Sequence, residues 1–393
     1  MESRRSVPTR EISILIGMLI FLLWMGNSAI LLAQEGDPVE YEELPVIQAD
    51  IDKEIGDEQG YLPGRLSDLI LMSDGTLLVS DVQKKTIEQF NTEGKHMGTI
   101  AREGRGPGEL PFIFTLAGGG NDTLIVQHSS STQVDFFGRD SGGIYTHARS
   151  SKTDYRENYH PLFFVGSPSG SSYYYAIRSK TEVDTDLPEY KMDSIVMLDG
   201  FQHIIRDSLH MLKRPNYVYA DPTKYSTNIT FGGKTPVGMP PYRYQDRFRL
   251  MDDGQYLIAR PDSTALFIYN KNHELVRQIP LNVESRSVQK TDLDYHFRDE
   301  PRDVRQRLKR YVPELKPPFL NIWVSENHIL LHTDNSRNGK EMVVLTMKGE
   351  PEPIGKFYLS EFDDIRYFRG NRIYTLYKNP ERGHSIMVYS IDL

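Results

Sequence analysis

Apolar and polar residues alternate through most of the chain in short runs bounded by Gly, Asn, Asp and Ser, the period of strands that bury one face. Six runs resemble one another: GTLLVSD (75–81), DTLIVQH (122–128), SSYYYAIR (171–178), GQYLIAR (254–260), NHILLHT (327–333) and NRIYTLY (371–377). Each lies between two further apolar runs, as in a β-meander: LSDLILM and TIEQF flank the first, RFRLM and TALFIY the fourth, LNIWV and EMVVL the fifth. Gly75 to Asn121 spans 46 residues, Asn121 to Gly170 spans 49 and Asn327 to Asn371 spans 44, close to what four antiparallel strands and their turns require. The two wider intervals, 84 and 73 residues, contain insertions. Such small sheets bury both faces only by packing on one another around an axis. The expected fold is therefore all-β, a six-bladed β-propeller of four-stranded antiparallel blades. The last copy ends at Leu393 one strand short, and ELPVIQADI (43–51) is a lone strand-like run upstream of the first, so it is expected to close the last blade and cover an open edge.

Hairpin turns expected on one face are short: SDG (73–75), TEG (92–94), MDDG (251–254), SEN (325–327) and RGN (369–371). The long connections, 149–160, 178–193, 210–244 and 282–318, fall on the other face, where such loops bind or cover something. The 210–244 stretch carries Tyr217, Tyr219, Tyr225, Phe231, Tyr242 and Tyr244; aromatic loops stack on ligands, and they also pack against themselves. The main helix signal lies near 299–315. Pro301 follows Asp299 and Glu300, and Val304, Leu308, Tyr311, Val312 and Leu315 recur on one helical face, with Arg302, Arg305, Arg307, Lys309 and Arg310 on the remainder.

Residues 12–34 form the longest uncharged run and follow Arg4, Arg5 and Arg10, the polarity of an export segment. Cleavage after Ala33 or Ala29 is one outcome and a retained inner-membrane anchor the other. The expected organisation is thus 1–33 as signal or anchor and 34–393 as one propeller outside the cytoplasm, periplasmic or extracellular. Net charge changes the partner classes. With 46 Lys and Arg against 54 Asp and Glu, a formal −8, a broad nucleic-acid surface is excluded, and membrane contact is left to residues 12–34. The absence of cysteine removes disulfides, thiolate metal sites and cysteine nucleophiles.

The first copy, from the DGTLLVSD turn (74–81) to the GRGPGEL run with Gly104, Gly106, Pro107, Gly108 and Glu109, resembles exported bacterial six-bladed propellers of the NHL and TolB-like type, over roughly residues 61–110. The resemblance implies the fold; its members sense, scaffold, bind and in some cases act as lyases or lactonases, so it implies no single reaction. Residues 104–110 read as a turn, because Pro107 lacks an N–H and no Lys-Ser/Thr follows, as a phosphate loop would need.

Candidate ligand-binding residues are the ends of the second strands, Asp81, His128, Arg178 and Arg260, with Thr333 and Tyr377 at equivalent positions. Arg65, His160, Tyr244 and Arg247, near the starts of innermost strands, join them. Two arginines, a histidine and a carboxylate suit an anionic ligand; the plain alternative is that these polar ends cap neighbouring loops. No cofactor is expected. Asp81 with Asp363 or Asp364 is merely compatible with Ca²⁺, Zn²⁺ is weakly supported by scattered histidines, and no G-x-S-x-G elbow, HExxH or similar motif assigns catalysis. Three functions follow: a module binding a protein, peptide or glycan partner on the looped face; a lyase or a lactone or ester hydrolase working in the funnel; or a structural part of an envelope assembly.

Overall fold

The computed structural model describes residues 41–56, 60–110, 114–119, 122–128, 133–152, 162–168, 171–179, 190–215, 218–220, 235–251, 253–281, 283, 286–347 and 351–393. The export segment, and any processing near residue 33, lies outside them. No helix among the described residues is long and apolar enough to cross a membrane.

The body is mostly β, built of four-stranded antiparallel sheets, consistent with a β-propeller. A lone first strand, β1 (Ala49–Ile55), precedes a sheet of β2 (Leu66–Leu71), β3 (Leu77–Asp81), β4 (Thr86–Phe90) and β5 (His96–Arg102), ordered as in the chain. Next come β6 (Phe114–Gly119), β7 (Thr123–His128), β8 (Gln133–Arg139) and β9 (Tyr145–Lys152), then β10 (Leu162–Gly166), β11 (Tyr173–Arg178), β12 (Tyr190–Asp199) and β13 (Ile204–Pro215). These two sets join through their first strands, where Gly166 pairs in parallel with Gly118. A Cβ on Gly166 would stand 2.9 Å from the Gly118 carbonyl oxygen, so the close approach needs a residue without one. A separate pair, β14 (Val218–Ala220) and β15 (Thr235–Gly238), precedes the sheet of β16 (Arg247–Leu250), β17 (Tyr256–Arg260), β18 (Ala265–Tyr269) and β19 (Leu275–Pro280). Helices α1 (Lys290–His296) and α2 (Arg302–Leu308) follow, then β20 (Asn321–Val324), β21 (His328–Ser336), β22 (Gly339–Thr346) and β23 (Pro353–Leu359). The final sheet holds β24 (Asp363–Arg369), β25 (Arg372–Asn379) and β26 (Gly383–Ile391), with β1 antiparallel to β26 as its outer strand.

The apolar cores lie between successive sheets. Ile70 and Leu78 meet Leu124 and Phe137; Tyr175 and Ile195 meet Phe248 and Tyr256; Leu257 and Leu266 meet Ile329 and Val343. Leu330 and Val344 meet Ile373 and Tyr389, and Leu376 and Ile386 of the last sheet meet Leu69 and Val79 of the first. Inner strands are thus covered on both faces, and every residue of β3 is buried. Outer strands such as β9 alternate buried or half-buried with exposed positions, because their rim faces water.

The N-terminal ribbon differs in register from its expected 43–51. Residues 49–55 pair with β26, while the stretch before them lies along β23: Ile47 N–H donates to the Lys356 carbonyl at 2.8 Å and Lys356 N–H to the Pro45 carbonyl at 2.9 Å. Tyr41 is buried in the core between the fourth and fifth sheets. The helix expected near 299–315 is present but short, α2 (Arg302–Leu308), and the separate α1 (Lys290–His296) precedes the expected region. Pro301 is the N-cap of α2 rather than its first turn, a 3-10 turn at Lys309–Tyr311 ends it ahead of Pro313, and Leu315 is 42% exposed, off the buried face. Val304 and Leu308 are buried as expected and pack with Phe297 and Leu293 of the α1 segment.

Candidate functional site

First strands begin, and second strands end, at the looped end of each sheet, and the nominated residues occupy it in different ways. Asp81 is wholly buried. It accepts hydrogen bonds from the Tyr61 hydroxyl (2.7 Å) and from the backbone N–H groups of Gly64 (2.6 Å), Arg65 (3.0 Å), Gln83 (3.1 Å) and Lys84 (3.1 Å). One carboxylate therefore ties the chain entering β2 to the β3–β4 turn. Burial pushes its pKa up, but these donors outweigh that and hold it below the usual carboxylate value. Asp363, also buried, accepts from Thr375 Oγ1 (2.6 Å) and Tyr389 OH (2.9 Å). No group of three His, Asp or Glu side chains among the described residues could hold a metal ion.

His128 is buried with Nε2 2.7 Å from Asp135 Oδ2. Arg178 lies along its own sheet, its guanidinium forked onto Asp207 of β13 and its Nε donating to Ser194 Oγ at 3.2 Å. Arg260 stands 5.7 Å from the Phe267 ring centroid. Arg247 is turned inward and donates through Nε (3.1 Å) and Nη2 (2.5 Å) to the Leu320 carbonyl; burial, then the nearby Arg249, pulls its pKa down to about 9. Tyr244 is half-buried. His160, Tyr217, Tyr225 and Phe231 lie outside the described residues. Arg65 is exposed at the start of β2.

Sequence reasoning missed a set of arginine staples between first strands. Arg249 donates to the Ile322 carbonyl at 2.7 Å and Asn321 Oδ1 at 2.7 Å. Arg366 donates to the Ser67 carbonyl at 2.6 Å, and Arg369 to the Met72 carbonyl at 2.7 Å. The available signal was the spacing of arginines two apart in RFRL (247–250), which aims both at one side of a strand.

Two features dominate the looped face. The first is a cap made by α1, α2 and residues 242–244. Beneath it Lys316 Nζ bridges Asp292 Oδ2 (2.9 Å) and Asp334 Oδ2 (2.6 Å), Tyr242 OH donates to Asp334 Oδ1 (3.0 Å), and Arg286 Nη1 meets Glu341 Oε1 (3.0 Å). The His296 ring stands edge-on to Tyr242 at 4.8 Å. At the far side Tyr295 OH donates to Glu361 Oε2 at 2.9 Å, alongside Arg298. Removing one partner of a buried pair strands the other, so Asp334→Ala is expected to cost about 3–5 kcal/mol. Hydrogen exchange should rise first over 290–311 and leave the sheets of residues 66–102 protected; uniform exchange would show that the cap has no anchorage of its own.

The second feature is a recess of about 330 Å³ where the last sheet meets the first, lined by Arg65, Leu66, Ser67, Val82, Lys378 and His384. Leu66 N–H donates to His384 Nδ1 at 3.1 Å. The ring is pushed below the ordinary histidine pKa, by burial first and then by the charge of Lys378, so it is neutral at pH 7 with its hydrogen on Nε2. Lys378 Nζ pairs with Asp364 Oδ2 at 2.5 Å, a carboxylate it shares with Arg366 (2.8 Å).

No protein-family model matches the chain, and no curated protein does. Solved structures do resemble it. A Bacteroides fragilis protein thought to be exported is 9% identical over 88% of this chain and 96% of its own, with a TM-score of 0.50. A DUF4221 family member from Bacteroides vulgatus is 13% identical over 89% and 99%, TM-score 0.47. Virginiamycin B lyase from Staphylococcus aureus is 8% identical over 88% and 100%, TM-score 0.41. At such identities the first likeness speaks for the fold alone, and the weaker two carry no argument.

Proposed function

We propose that this chain is an exported six-bladed β-propeller, of the NHL and TolB-like kind, that serves as a binding module through its looped face. Support for six blades comes from the succession of four-stranded sheets, from cores that run between neighbours and return from last to first, and from the approach of Gly166 to Leu250 between the third and fourth sheets. Export rests on the basic-then-apolar residues 4–34, with inner-membrane attachment if that segment is retained.

The observation that carries the binding role is one-sided construction. The connections that are long also carry a packed, ion-paired cap, and beside it a recess stays open, whereas the opposite turns are trimmed to a few residues. The partner is a protein, peptide or glycan of the cell envelope, and no metal or organic cofactor takes part. Photo-crosslinkers at Leu62 and Arg105 on the looped face should capture partners in intact cells, and crosslinkers at Phe201 and Asn272 on the opposite face should not. Capture confined to the latter pair would reverse the assignment.

A further inference from the structure

We propose that the recess between the last and first sheets binds the anionic head group of a small ligand with an apolar body, held by Arg65, Lys378 and the Nε2–H of His384. This rests on the looped face being the binding face, and it names the chemistry recognised there.

Three observations converge. No carboxylate lines the recess, and its polar side chains include two cations and a histidine. Asp81, which accepts from the Arg65 N–H, is buried and committed to five donors. Asp364 already faces both Lys378 and Arg366, and Arg366 also meets Asp68 at 3.3 Å, so two acids are matched by two cations. The guanidinium of Arg65 has no ion pair among the described residues, and the side chain is exposed at the recess.

The donors are also held in place. Asp81 grips the Arg65 N–H, and Val82 N–H donates to the Arg65 carbonyl at 2.9 Å, so the backbone beneath the side chain is fixed on both sides. The Leu66 N–H occupies His384 Nδ1 and directs the remaining ring hydrogen to Nε2. Guanidinium, ammonium and imidazole N–H are all donors, the set that recognises carboxylate or phosphate oxygens. Leu66, Val82 and the aliphatic stems of Arg65 and Lys378 supply an apolar wall. A volume of about 330 Å³ suits a small acid or the acidic end of a chain.

The test uses the full chain and ligand-observed NMR with hexanoate, hexyl phosphate and the neutral hexanamide. Hexanoate or hexyl phosphate should bind saturably and hexanamide at least tenfold more weakly; whichever acid binds more tightly identifies the head group. Arg65→Gln should raise the Kd of that acid about tenfold and Arg65→Gln/Lys378→Gln abolish saturation, with Tm unchanged for the exposed Arg65 variant, while Arg105→Gln on the same face leaves the Kd as it was. Equal binding of hexanamide, or an unchanged Kd in the double variant, would overturn the proposal. Those results leave crosslinking from Leu62 and Arg105 untouched, whereas partners captured only from the opposite face would overturn the face assignment even if hexanoate still occupied the recess.

Discussion

Asp81→Ala lowers stability by about 3–5 kcal/mol, a loss expected from removing a buried charge that several donors depend on. The change strands the Tyr61 hydroxyl and four backbone N–H groups that converge on one carboxylate. An unmet buried donor costs about 1–3 kcal/mol, but Arg65 and Lys84 lie close enough to solvent for water to replace some of these bonds. The shape-matched Asp81→Asn turns an NH₂ group toward N–H donors and should recover less than half of the loss. The pH dependence has a definite sign. The folded-state pKa of Asp81 is depressed, so its contribution is complete above the unfolded value of about 3.9 and disappears as pH falls through the lower folded one. Urea titrations should therefore show the two proteins far apart at pH 7 and converging below about pH 4. A gap that did not narrow at all between pH 7 and pH 3 would mean that the carboxylate charge is not what holds the corner.

Removal of residues 1–56 is expected to yield an insoluble or oligomeric product, whereas removal of residues 1–33 leaves a folded one. Without β1 the edge of β26 loses its partners from Ala49–Ile391 through Ile55–Ile386 and stands open to pairing with other chains. Two buried side chains go as well: Tyr41 from the core between the fourth and fifth sheets, and Ile55 from the one between the last and the first. The single substitution Ile55→Ala isolates part of this and should cost about 2–5 kcal/mol. Size-exclusion chromatography and thermal unfolding separate the cases. A monomeric, cooperatively unfolding product lacking residues 1–56 would show that the ribbon is an accessory.

Much of the architecture was legible because it is local. Each of the six aligned runs is the second strand of its sheet, β3, β7, β11, β17, β21 and β25, since alternation and turn residues act within a few positions of one another. The helical signal at 304, 308, 311 and 312 also marked side chains that pack together, although Pro301 and Pro313 confine the helix to two turns. Less was legible at the ends of the strands. Asp81, His128 and Arg178 align with one another in the repeat, yet one knots two loops, one pairs with Asp135 and one forks onto Asp207. Their partners come from neighbouring loops and from the third or outer strand of the sheet, at positions that differ from sheet to sheet.

By itself the sequence determined the kind of strand at each position, the length of each connection and the side on which the chain would be elaborated, because these follow from short-range periodicity and turn chemistry. Only the tertiary structure decided which charged groups meet. Arg65 and Arg247 both stand at the start of a first strand, but one faces solvent and the other is half-buried with its guanidinium on the Leu320 carbonyl, according to the neighbour each sheet receives. His384 reaches Leu66 across 318 residues of chain, because the last sheet packs on the first. A contact between the two ends of the chain depends on the summed geometry of everything between them, and no local pattern of side chains encodes it.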